Sequence, residues 1–136
     1  MKVLLIASLL LATLFSCSPK LSPDKDWSKK RWVLIEVKGV PVQLSGTNRD
    51  AHIEFNTAEK RITGSGGCNR LNGSYKLGKK NAISFGDPAT TKMLCADQAF
   101  EDLFLANLKL VDNQNEAGNL MLLKRGNEVV LKLQAK

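Results

Sequence analysis

Histidine occurs once in this chain, tyrosine once and tryptophan twice, and aromatic residues make up only 6% of the whole. With one histidine, and with two of the three cysteines expected to be bridged to each other, no adequate ligand set remains for a metal centre, so neither a metal nor another cofactor is expected. Few rings, and lysines and arginines scattered along the chain, argue against a nucleic-acid surface, which needs a basic stripe and bases stacked on aromatics. No apolar run approaches the ~20 residues of a membrane-spanning helix. No segment repeats, so a solenoid or propeller is not expected.

What is present begins with MKVLLIASLLLATLFS, where Lys2 precedes a largely apolar run that ends in small residues before Cys17. The pattern is that of a secretory signal peptide over residues 1–16. Leu14, Phe15, Ser16 and Cys17 resemble a bacterial lipobox, which implies acylation of Cys17 and an N-terminal lipid anchor in a membrane. Ser18 after that cysteine is compatible with the outer membrane, the protein facing the periplasm. The next stretch, SPKLSPDKDWSKK, is rich in proline and charge. It reads with Cys17 as a flexible tether over residues 17–30, ahead of one folded domain over 31–136 of about 105 residues. The net charge of +7 favours an anionic envelope component such as lipid, lipopolysaccharide or peptidoglycan as partner, with an envelope protein as the alternative.

With Cys17 assigned to lipid, Cys68 and Cys95 remain as an even pair, and in an oxidising compartment a disulfide between them is the default expectation. Closing that loop would remove denatured-state entropy worth about 3.5 kcal/mol on the chain-entropy model. Cys68 sits in GSGGCNRLNG, a stretch open to two other readings. A phosphate loop needs Gly-Lys-Ser/Thr leading into a helix, whereas here Gly67 is followed by Cys68, Asn69 and Arg70. A thiol nucleophile needs a base, and His52 is the one histidine that could serve.

Residues 31–37, RWVLIEV, carry apolar groups on both parities, as a strand buried on two sides does. Gly39 and Pro41 end it. AHIEF and KRITGS predict a hairpin, and the glycines after them a sharply bent sheet corner. LNGSYKLG and NAISFGD suggest two more strands, and NLMLLK and EVVLKL a terminal hairpin across Arg125, Gly126 and Asn127. DQAFEDLFLANL is different: Phe100, Leu103, Phe104 and Leu108 recur at helical spacing, Asp97 can cap, and Glu101 and Asp102 suit the positive end of the dipole. The expected fold is mainly β (α+β): a small antiparallel bent sheet or barrel of about eight short strands with one amphipathic helix from Asp97 to Leu108.

Trp32, the G-V-P-V of residues 39–42, GSGGCNRLNGSY, ISFGDPATTKMLC and EDLFLANL together resemble the META-domain family of HslJ-type bacterial envelope proteins. The most specific pieces are Gly67, Cys68, Asn69 and the following G-S-Y, with Thr90, Thr91, Lys92, Met93 and Cys95. The resemblance implies a mainly antiparallel β fold with a helix, an envelope location often through lipid, a link to heat shock and novobiocin tolerance, and no established catalysis. No catalytic residues are therefore assigned. Asn69, Arg70, Thr91 and Lys92, beside the Cys68 to Cys95 bridge, form the candidate binding surface.

Overall fold

In the computed structural model, which describes residues 26–136, RWVLIEV forms β1 (Arg31–Val37). The signal peptide and the lipid anchor expected at Cys17 lie outside the described residues. Trp32 and Leu34 of β1 point to the core on one parity and Val37 on the other. A bulge makes this possible: opposite the last strand, the register shifts between Leu34 and Glu36. One extra residue turns the pleat over, so apolar groups of both parities are used. Val33 is buried as well.

β1 turns at Lys38 and Gly39 into a two-residue strand, β2 (Val40–Pro41), and then pairs with β3 (His52–Asn56). β4 (Arg61–Ser65), β5 (Arg70–Leu77) and β6 (Ile83–Phe85) continue the antiparallel sheet in chain order, and the short β7 (Ala89–Thr90) pairs back on β5. After helix α1 (Gln98–Leu110) come β8 (Asn113–Ala117), β9 (Leu120–Arg125) and β10 (Glu128–Ala135). The strand order is β6-β5-β4-β3-β1-β10-β9-β8. Its two ends nearly close on each other: Ala82 bridges Asn113, Gln114 N–H donates to Asn81 O at 2.9 Å, and Ile83 N–H to Asp112 O at 3.2 Å. This is a nearly closed antiparallel barrel with one helix, which largely removes exposed edges. The helix packs on β6, β9 and β10, across that junction.

Barrel closure also explains what the hydrophobic pattern does not reveal. β8 is NQNEA, with no apolar alternation, and is held by its ladder to β9 and the bridge to Ala82. β2 and β7 are too short to show a period. The expected tether needs correction at its end: Trp27, in a short 3₁₀ turn (Trp27–Lys29), is buried and lies 4.9 Å, ring to ring, from Phe55. The folded part thus starts before Arg31, because a large ring there completes an aromatic cluster with Phe55, Tyr75 and Phe85.

The helix runs two residues beyond the expected Leu108 and is capped by Asp97, whose carboxylate accepts the Phe100 N–H at 3.2 Å. Phe104 and Leu108 face the core as expected, but Leu103 is nearly half exposed, and Glu101 and Asn107 take buried places instead.

Candidate functional site

The bend between β4 and β5 is made by Gly66, Gly67, Cys68 and Asn69, closed by the Gly66 N–H donating to Asn69 O at 2.9 Å. Gly67 has φ +113, which L side chains rarely adopt, and a Cβ there would press on the Phe100 ring at 3.2 Å. A Cβ on Gly66 would come within 2.5 Å of a Glu101 carboxylate oxygen. Two adjacent glycines are required because the backbone lies directly against the first turn of α1.

That closeness places the Glu101 carboxylate under the bend. Its Oε2 accepts the Asn69 N–H at 2.8 Å and its Oε1 the Asn69 side-chain amide at 2.8 Å, with Gln98 adding a longer contact of 3.3 Å. The other end of the Asn69 amide faces the opposite way. Its Oδ1 accepts the Thr91 hydroxyl at 3.0 Å and the Met93 N–H at 2.8 Å. Thr91 in turn exchanges two hydrogen bonds with the Arg70 backbone, at 3.1 Å each. Asn69 is therefore a clasp of helix, bend and the 91–95 loop, and the Cys68–Cys95 disulfide, with Cα atoms 6.1 Å apart, ties the bend to that loop covalently.

Glu101 and Asn69 are both almost fully buried. Burial by itself would raise the Glu101 pKa, since a charge is costly away from water. The hydrogen bonds from the Asn69 amide and N–H, from Gln98 and from the Cys68 backbone outweigh it and leave the pKa below the ordinary glutamate value. The carboxylate is thus an anion held by donors, a strong form of hydrogen bond.

Of the four residues expected to form a binding surface, the structure brings all together but not in one role. Arg70, Thr91 and Lys92 are exposed. Asn69 is not available to a ligand, because both ends of its side chain are committed inside the fold. Cys68 has no free thiol to act as nucleophile, and His52 is turned elsewhere, its Nδ1 lying 2.8 Å from Asp50 O and 3.0 Å from Arg31 Nη2. The Cys68 and His52 pairing is therefore overturned in this structure.

A large concavity lies beside the clasp, on the side where the 91–97 loop faces the hairpin and loop that run from Val37 to Ala51. It is a groove of about 1390 Å³. Its floor is apolar, with Val37 and Ala51 buried and Val42 and Phe100 half-buried. Its rim carries exposed apolar side chains among polar ones: Leu94 is fully exposed, Val40 and Met93 more than half, and Leu103 nearly half. Single exposed apolar side chains are ordinary, but several gathered round one concavity mark a binding surface.

Sequence reasoning assigns none of these rim residues to a site, and it reads Glu101 as a partner of the helix dipole. Spacing offers one clue to Glu101, since positions 101, 104 and 108 share a helix face. Nothing local points to the groove, whose two walls are some forty residues apart in the chain and meet only in the fold.

The sequence model of the META domain matches residues 25–136. Among solved structures, one determined by NMR is 26% identical, with a TM-score of 0.60 over 79% of this chain and 89% of its own. An NMR structure from Burkholderia xenovorans is 24% identical at the same TM-score, covering 89% and 96%. A DUF4847 family protein from Bacteroides vulgatus, known from a crystal structure, shares the fold at 15% identity and a TM-score of 0.57, over 81% and 94%. A search of curated proteins found no match.

Proposed function

This chain belongs to the META-domain family, and on that premise we propose that it is a non-catalytic binding module of the cell envelope, its binding surface the apolar groove. The observation that carries this reading is the rim of exposed Val40, Met93, Leu94 and Leu103 above a buried apolar floor. The clasp supports it: Met93 N–H is fixed by Asn69, and Cys95 by the disulfide, so Leu94 between them is displayed from a pinned loop. Pre-organised loops of this kind bind without the entropic cost of ordering.

An envelope location is supported by the export pattern of residues 1–16, by Cys17 in its lipobox-like setting, and by a disulfide suited to an oxidising compartment. In this reading the lipid on Cys17 holds the domain at a membrane, the outer one facing the periplasm, and the domain contributes to tolerance of heat or of antibiotics such as novobiocin. Arg70 and Lys92 flank the groove in sequence and take a secondary, electrostatic part, while Thr91 belongs to the clasp.

The test is a host strain whose sole copy carries Leu94→Glu with Val40→Glu, both at exposed positions, with folding of the variant checked by circular dichroism. Loss of heat or novobiocin tolerance in that strain, with Arg70→Glu and Lys92→Glu causing a smaller loss, is the expected result. Full tolerance in a strain with a folded double variant would remove the groove from the function.

A further inference from the structure

Four charged residues line the groove, and they fall into two unequal pairs. Asp50 is bound to its own loop, its carboxylate accepting Ser45 N–H and hydroxyl and Gly46 N–H at 2.7 to 2.8 Å. Asp97 is occupied in capping α1. Lys38 and Arg49 are exposed, and among the described residues their side chains have no ion-pair or hydrogen-bond partner. The Lys38 backbone is moreover held in place: it stands at φ +45, beside Gly39 at φ +79, in the tight turn between Val37 and Val40, and its N–H donates to Val130 O at 3.0 Å. The groove therefore joins a largely apolar lining to two uncommitted cations, while its acids are already satisfied.

From this we propose that the groove takes the chain of an anionic single-chain amphiphile, with Lys38 and Arg49 meeting its acidic headgroup. The proposal rests on the groove being the binding surface and adds what occupies it. A guanidinium and an ammonium suit a phosphate or carboxylate head, and the apolar residues of the floor suit a hydrocarbon tail rather than a polar peptide. The floor matters to the choice. Val37 and Ala51 line a concavity, a shape that a flat bilayer surface could not follow.

The experiment is an NMR titration of the full-length chain carrying Cys17→Ser, with its disulfide closed, so that no attached acyl chain competes. The probes are lysophosphatidylglycerol and lysophosphatidylcholine of equal acyl length, both below micelle formation. Saturable shifts at Val40, Ala51, Met93 and Leu94 are expected, with the anionic lipid bound roughly tenfold more tightly. Lys38→Glu with Arg49→Glu should erase that preference, and Leu94→Glu should weaken both lipids. Equal affinities in the unsubstituted protein would overturn the headgroup pairing while leaving the groove as a binding surface. Shifts absent from the groove with either lipid would overturn both readings. Binding to phosphatidylglycerol vesicles without binding to the monomeric lipid would replace the single amphiphile by a membrane surface.

Discussion

The clasp around Asn69 and Glu101 and the groove beside it invert the usual placement of polar and apolar groups. The clasp is polar and buried, every end of the Asn69 amide paired within 3.0 Å. The groove rim carries exposed apolar side chains. A buried polar network that is fully satisfied specifies one arrangement and has nothing left for a ligand. An exposed apolar rim has the opposite character, holding free energy that only an added surface can release. Of the residues most recognisable in the sequence, Gly67, Cys68, Asn69 and Thr91 build the support, whereas Met93, together with Val40 and Leu94, faces outward.

Breaking the clasp gives the largest effect. Glu101→Leu leaves the buried donors of Asn69 without an acceptor and is expected to cost about 3 to 5 kcal/mol, enough to unfold a marginal domain, as urea denaturation would reveal. Opening the staple by Cys68→Ser with Cys95→Ser should cost about 2 to 4 kcal/mol in the same measurement. Gly66→Ala, which drives a Cβ to 2.5 Å from Glu101, is expected to lose about 1 to 3 kcal/mol. A loss smaller than that of an exposed substitution would mean the bend is looser than the contact implies.

Acid sharpens the same comparison. Burial alone would raise the Glu101 pKa, but the hydrogen bonds donated to the carboxylate outweigh it and the pKa is lowered in the folded protein. Its contribution is therefore fully present above the unfolded value, about 4.3, and is lost as pH falls through that value toward the folded one. Between pH 7 and pH 3, Glu101→Gln should lose less stability than the unsubstituted protein, and parallel pH profiles would mean that folding does not lower the Glu101 pKa. At the other extreme, Leu94→Glu in the groove should change stability by less than about 0.5 kcal/mol while weakening ligand binding. A large destabilisation there would place Leu94 in the support rather than at the surface.

Strands with a hydrophobic rhythm are legible in the residues themselves. RWVLIEV, the AHIEF and KRITGS hairpin, the terminal hairpin and the helix all follow apolar spacing, with shifts of a residue or two at their ends. β8 is not legible, because NQNEA is defined by partners on both sides rather than by its own pattern. Trp27 is hidden by its charged neighbours, and its place in the core depends on Phe55, reached only when β3 lies beside it. Glu101 is misread from spacing because a charge near a helix start ordinarily faces water, and only the two glycines of the facing bend make room for it inside.

By itself the sequence determined the class of fold, the single helix, the two cysteines free to pair and the glycines that permit a bend, since each rests on local periodicity or on residue chemistry. The tertiary structure alone decided that Asn69 is spent inside the protein, that Glu101 is its partner, and that Val40 and Leu94 share one groove. Those facts depend on which distant segments barrel closure sets side by side, and contacts between remote segments leave no mark on the spacing within either one.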